Sequence, residues 1–171
     1  MYGSIYEFIT INKNIKTLRY QGIILSYIII SFLILFQLKF QNQSEIKLLI
    51  LLLHVWSSDV GGYIMGKSIG KHFITKISPK KTWEGVIGSI LFCIIISFIL
   101  NNEMKEISKL NHYLTSIILC LSSISGDFII SWVKRINNKK DSGYFLPGHG
   151  GFLDRLDSLL LTNYIFILLI N

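Results

Sequence analysis

Apolar residues along this chain run in blocks rather than alternating or recurring on a single face. Stretches with little or no charge cover Gln21 to Leu38, Leu48 to Gly66, Gly85 to Asn102, Leu110 to Trp132 and Leu156 to Asn171. Each is about the length a helix needs to cross a hydrocarbon core of roughly 30 Å, in which backbone polar groups must be satisfied within the segment. The pattern predicts an all-α fold, a polytopic membrane helix bundle of about five transmembrane helices. The last block is the shortest: 14 residues follow Asp157, about 21 Å at ~1.5 Å rise per residue. If that helix spans, its charged start lies below the lipid surface, in a polar cavity.

Polar positions between the blocks set the orientation. Lys13, Lys16 and Arg19 precede the first block; Lys67, Lys71, Lys76, Lys80 and Lys81 separate the second from the third. Lys134, Arg135, Lys139, Lys140 and Arg155 separate the fourth from the fifth, whereas the two opposite connections hold only Lys39, Lys47, Lys105 and Lys109. The positive-inside rule then puts the N-terminus in the cytoplasm and the C-terminus outside. The net charge of +7 is accounted for by topology and a local anion site, so no nucleic-acid partner is expected. The sequence contains no alanine and hence no A-x-A cleavage site, and the first block is expected to be an uncleaved anchor. Cys93 and Cys120 fall inside apolar blocks without ligand spacing and read as packing residues.

Glycine and proline concentrate the chemistry. Of 13 glycines, 11 lie in Gly61 to Gly88 or Gly126 to Gly151, and both prolines belong to the same two regions. The chain therefore reads as a single membrane-embedded domain, residues 1–171, whose site is made by two loops and their flanking helix ends. GGYIMGKS, Gly61 to Ser68, fits a phosphate-loop pattern letter for letter, but that motif needs a strand before it. Gly62, Gly66 and Gly70, four apart, suit close helix packing instead. Asp59 lies inside the second block, where a carboxylate costs roughly 3 kcal/mol or more without a cavity or partner; a helix-to-helix hydrogen bond is the alternative. In ISPKKTWEG, Ser78 and Pro79 predict an N-cap and first helical position. Lys80 and Lys81 would then stand in the first turn, favourable only around a bound anion, or serve as topological anchors. Trp83 suits an interfacial anchor, Glu84 could pair with Lys80, and His54 and His72 have no assigned role.

Ser123, Asp127, Ser131, Lys134 and Arg135 fall at intervals of four, four, three and one along the fourth block, a stripe on one helical face. An Asp heading such a stripe suits a metal ligand followed by phosphate contacts. In PGHGGFLDRLDS, Pro147 and the glycines let a loop approach a ligand closely, and Asp154 and Asp157 stand three apart where the fifth block begins. With Asp127 they could hold a hard divalent cation, surrounded by Arg155, Lys134, Arg135, Lys80 and Lys81. That is equipment for a polyphosphate substrate and for phosphoryl or nucleotidyl transfer; a solvated turn capped by Asp154 is the plainer alternative.

Taken together these residues resemble the phosphatidate cytidylyltransferase (CDP-diacylglycerol synthase) family. Ser131, Lys134, Arg135, Lys140, Asp141, Pro147, His149, Gly150, Gly151, Asp154, Arg155 and Asp157 fill its signature without a gap. Asp59 through Gly85 resembles its upstream pattern, giving a signature region of 59–158. The resemblance implies reaction of CTP with phosphatidate to give CDP-diacylglycerol and pyrophosphate with Mg²⁺, in phospholipid biosynthesis. It implies Asp127 and Asp154 as metal ligands with Asp157 beside them, and Lys80, Lys81, Lys134 and Arg135 on phosphates. Ser131, Asp141, His149 and Arg155 would orient groups, and Asp59 would contact substrate. It further implies a multi-pass protein of the cell (inner) membrane with its site facing the cytoplasm, and a homodimer. Bacterial members are usually longer, with further N-terminal helices. Three rivals stay open: a CTP-dependent polyprenol or phytol kinase, an ion or anion transporter using Asp59 and Asp127, and an inactive partner subunit.

Overall fold

The computed structural model describes residues 3–6, 18–75, 78–108, 110–136, 151 and 153–170. The chain is an all-α membrane helix bundle. Its main helices are α1 (Leu18–Leu38), α2 (Ser44–Ile69), α3 (Trp83–Ile99), α4 (Asn101–Ile107), α5 (His112–Ile136) and α6 (Asp157–Ile170), the last preceded by a 3₁₀ turn, Leu153–Arg155. By length and composition α2 and α5 can each cross a membrane, α3 with α4 could make a third, bent crossing, and Leu25–Leu38 and Asp157–Ile170 are shorter apolar helices.

Which residues face inward identifies the solvent. On α3 the buried positions are Gly85, Gly88, Ser89, Cys93 and Ser97, while Ile87, Leu91, Ile95 and Phe98 are exposed. A soluble helix does the opposite. With lipid outside, large apolar side chains gain nothing by turning inward, and small residues that let backbones approach take the interface. Gly62 on α2 faces the start of α3: a Cβ there would lie 2.7 Å from Ser89 Oγ, and one on Gly85 would lie 2.9 Å from the Gly62 carbonyl. The four-apart glycines thus sit at close contacts, Gly62 against α3 and Gly66 and Gly70 against Thr82. Buried hydroxyls complete the seam, Ser89 donating to the Ser58 carbonyl at 2.6 Å.

The third apolar block departs from a straight span. α3 ends at Ile99 and the chain turns by 90° into α4. Asn101 and Asn102 follow the apolar run, and asparagine competes with the helical backbone for hydrogen bonds. α4 is amphipathic, burying Met104 and Ile107 while Lys105 and Glu106 stay exposed. It therefore lies against the bundle's end, where Met104 and Ile107 join a cluster with Leu38, Leu51 and Phe166. A second cluster, Ile28, Ile130, Val133, Leu153 and Leu160, ties α1, α5 and α6 together.

A Cβ at Gly126 would come 2.7 Å from the Asp157 carbonyl oxygen and 3.3 Å from that of Ser158. This approach sets the α5–α6 distance, and backbone cannot yield as a side chain does. Gly126→Val should cost about 1–3 kcal/mol through overpacking and lower the thermal midpoint in detergent. Gly22→Ala, with nothing within 4 Å, should be neutral or gain up to ~1 kcal/mol of helix propensity.

Candidate active site

One cavity of about 790 Å³ has seven charged residues in its wall. Its carboxylates come from four places: Asp59 on α2, Asp127 on α5, Asp154 in the 3₁₀ turn and Asp157 at the start of α6. Lys80, Lys81 and Lys134 supply the cationic side of the wall, and Ser58, Ser89, Ser158 and Thr82 add hydroxyls.

Each carboxylate has a distinct partner. Lys81 Nζ lies 2.5 Å from Asp127 Oδ2, and Ser131, one turn further along α5, donates to Asp127 Oδ1 at 3.2 Å. Lys134 Nζ donates to Asp154 Oδ1 at 2.7 Å, while the Gly151 amide donates to Asp154 Oδ2 at 3.1 Å. Asp157 is buried, accepting from the Ser158 amide at 2.8 Å, and lines the same cavity as Asp127. Ser158 Oγ reaches Asp59 Oδ1 at 3.4 Å, joining α2 to α6 across the cavity. The Lys81 ammonium also lies 4.2 Å from the centre of the Phe128 ring, a cation–π contact that holds the side chain over α5.

The structure brings together Asp59, Lys80, Lys81, Asp127, Lys134, Asp154 and Asp157 in the cavity wall, with Ser131 directly behind Asp127. Arg135 is exposed in the last turn of α5 and is not part of the lining. It is one residue from Lys134 and so about 100° round the helix. Asp141 and His149 lie outside the described residues, as does the side chain of Arg155.

Three local expectations are corrected. Ser78 does not cap α3: the Lys81 amide closes a turn on the Ser78 carbonyl at 3.1 Å, and the helix begins at Trp83 with Thr82 as N-cap. Thr82 Oγ1 accepts from the Gly85 amide at 3.1 Å. Lys80 and Lys81 consequently precede the helix rather than forming its first turn. Glu84 binds His72 instead of Lys80, with Nδ1 and Oε1 2.6 Å apart. Among residues the sequence did not single out, Ser158 and Thr82 hold the site together. Each adjoins a chosen residue, Asp157 or Lys81, and that proximity was the available signal.

The donor set tests whether a metal fits. Oxygen donors from carboxylates, with hydroxyls around them, suit a hard divalent cation such as Mg²⁺. Among the described residues no three His, Cys, Asp or Glu side chains form a ready cage, and Lys81 and Lys134 pair with two of the carboxylates. Mg²⁺ is typically held by one or two carboxylates together with substrate phosphates and water, so the residues present fit it.

Comparison with known proteins gives the family of the chain. The model of the family described as "Cytidylyltransferase family" matches residues 4–171. A protein of Rickettsia prowazekii (strain Madrid E) named phosphatidate cytidylyltransferase is 40% identical over 153 residues, covering 85% of this chain and 66% of its own length. The Rickettsia conorii (strain ATCC VR-613 / Malish 7) protein of the same name is 38% identical over 156 residues, 86% of this chain and 67% of its own length. An Escherichia coli (strain K12) protein, "Uncharacterized protein YnbB", is 39% identical over 116 residues, 67% of this chain and 39% of its own length. The chain thus spans between about two-fifths and two-thirds of these curated relatives.

The ammonium on Asp127 competes with any divalent ion for that carboxylate. Lys81→Met should therefore tighten Mn²⁺ binding, measured by electron paramagnetic resonance on purified protein without nucleotide, by ~10-fold, a change of about 1.4 kcal/mol. Unchanged or weaker binding would show that Asp127 is not a metal ligand.

Proposed function

The chain belongs to the cytidylyltransferase family, and from that we propose that it transfers the cytidylyl group of CTP to phosphatidate, releasing pyrophosphate and forming CDP-diacylglycerol. The observation that carries this reading is the cavity itself: four carboxylates and three lysines in one polar space inside a lipid-facing bundle. One substrate is anchored in the bilayer and the other is a soluble polyanion, so the reaction needs a charged site that opens to both phases.

The charges of the wall argue for a cation in the reaction. Four carboxyl groups against three ammonium groups leave the wall with no excess of positive charge to offset a triphosphate and a phosphate monoester. Asp127 and Asp154 would hold Mg²⁺, with Asp157 beside Asp127; when bound, such an ion draws charge from phosphoryl oxygens and favours displacement at phosphorus. Adding +2 gives the wall an excess of positive charge, which attracts both substrates.

The chain's own residues then have separate tasks. Lys80, Lys81 and Lys134 bind and orient phosphate oxygens; Arg135, at the cytoplasmic edge of α5 in this topology, attracts the nucleotide. Ser131 keeps Asp127 in its rotamer, and Asp59, tied to Ser158, contacts substrate from the α2 side. Asp141, His149 and Arg155 orient groups in the site, as the signature implies. A phosphatidate oxygen attacks the α-phosphorus of CTP and the bond to the pyrophosphate oxygen breaks. No protein nucleophile is required, because the lipid already carries a phosphate monoester.

Under the same proposal residues 1–171 form a single domain that crosses the cell (inner) membrane about five times. Its N-terminus and catalytic loops are in the cytoplasm, and the protein assembles as a homodimer. Membranes carrying the protein should convert phosphatidate and labelled CTP to CDP-diacylglycerol and pyrophosphate when Mg²⁺ is supplied. Asp127→Asn or Asp154→Asn should each lower kcat by roughly 10²–10³-fold, the scale for losing one electrostatic contact in a dry site, with membrane insertion unchanged. Release of CDP instead of pyrophosphate would identify a lipid kinase, and full activity in both variants would refute the assigned ligands.

A further inference from the structure

Between α2 and α3 the chain must reverse direction and deliver two adjacent lysines to the cavity. It does so with a narrow antiparallel ladder. The Trp83 amide donates to the His72 carbonyl at 3.0 Å and the Ile74 amide to the Lys81 carbonyl at 3.0 Å, around a bridge between Phe73 and Thr82. A two-stranded ribbon this short is at best marginally stable in water, yet Lys80 and Lys81 leave its returning strand and line the cavity.

Glu84 closes the base of the ribbon. Standing in the first turn of α3, it places Oε1 2.6 Å from His72 Nδ1 and accepts the His72 backbone N–H on Oε2 at 3.3 Å. One carboxylate thus grips the outgoing strand by side chain and main chain, next to the rung that Trp83 makes with the same residue. Neither Glu84 nor His72 lines the cavity, and the His72 side chain is 77% exposed, so the pair is not placed to touch substrate.

We propose that Glu84 is a positioning residue: clipped to His72, it fixes the returning strand so that Lys80 and Lys81 are pre-set on the phosphate groups of the substrates. This rests on the cytidylyltransferase reading for its consequence in catalysis, though not for the clip itself. An isolated surface pair of this kind would add little to stability. Its effect comes from removing freedom that two lysines on a loose ribbon would otherwise lose on binding, the gain from preorganisation. An acidic group in the first helical turn also interacts favourably with the α3 dipole, a purely structural role that the test must separate.

The test is steady-state kinetics on membranes, with binding of inorganic triphosphate to the purified protein read alongside by equilibrium dialysis. Glu84→Gln and His72→Ala should each raise KM by ~10-fold while kcat stays within ~2-fold, and should weaken triphosphate binding to the same extent. A rise confined to KM for CTP assigns the lysines to the nucleotide, and one confined to KM for phosphatidate assigns them to the lipid phosphate. His72→Asn, whose amide nitrogen can replace Nδ1 as donor, should restore near wild-type values. In a Lys80→Met/Lys81→Met background, adding Glu84→Gln should change triphosphate binding no further. Additive effects there, unaltered constants in Glu84→Gln, or failure of His72→Asn to rescue would overturn the clip. Absence of triphosphate binding in the wild type would also overturn it. Wild-type protein that binds triphosphate but forms no cytidine lipid would instead sink the reaction and leave the clip to be judged on binding.

Discussion

The structure depends on keeping four carboxylates inside a bundle whose outer face is lipid. Each such group costs roughly 3 kcal/mol or more when it meets hydrocarbon without a partner. Asp127 and Asp154 are offset by lysines, Asp59 by a hydroxyl, and Asp157 by the amide of Ser158 at the start of α6. One lysine comes from α5 itself, and the other from a loop that folds back over the bundle. If either is removed, its partly buried carboxylate loses the nearest compensating charge. Helix ends, loop and cavity are thus coupled through charge before any ligand is considered.

That coupling requires the helices to be close. Gly62 against Gly85, and Gly126 against the carbonyls of Asp157 and Ser158, bring backbones to distances that a Cβ would prevent. The small residues therefore serve two ends. In lipid, close approach supplies the packing and interhelical hydrogen bonds that drive association in place of the hydrophobic effect. It also brings Asp127 and Asp157 into the wall of one cavity, which helices held apart by leucine side chains could not do.

The stripe Asp127, Ser131, Lys134 was legible because a helix repeats every 3.6 residues and the block was long enough to leave its type in no doubt. Arg135 was read as part of the same stripe, but the turn of one residue carries it off the cavity face. The all-α membrane character was legible from block lengths, and Asp154 and Asp157 from their place, three apart, where the last block begins. What escaped was set by tertiary contact. Ser78 and Thr82 are both good N-caps on local grounds, and close packing of Thr82 against Gly66 and Gly70 accompanies the choice of the second. The bend at Leu100 depends on where Met104 and Ile107 find a surface to bury, and Glu84 prefers His72 to Lys80 only because the ribbon brings His72 back. None of these contacts is written in residue spacing.

The division of labour between helices and loop follows from the same charges. Asp59, Asp127 and Asp157 are carried on helices, which hold side chains more precisely than loops do. Lysines are compact charges on long flexible stems and can exchange one anionic partner for another with little backbone motion. In the proposed reaction the incoming phosphates are stronger competitors for Lys81 and Lys134 than single carboxylates are, since each phosphate group offers several charged oxygens. Transfer of the ammonium groups to phosphate would free Asp127 and Asp154 when a divalent ion arrives with the nucleotide. Substrate and metal would then favour each other's binding through the lysines, without any rearrangement of the helices that carry the aspartates.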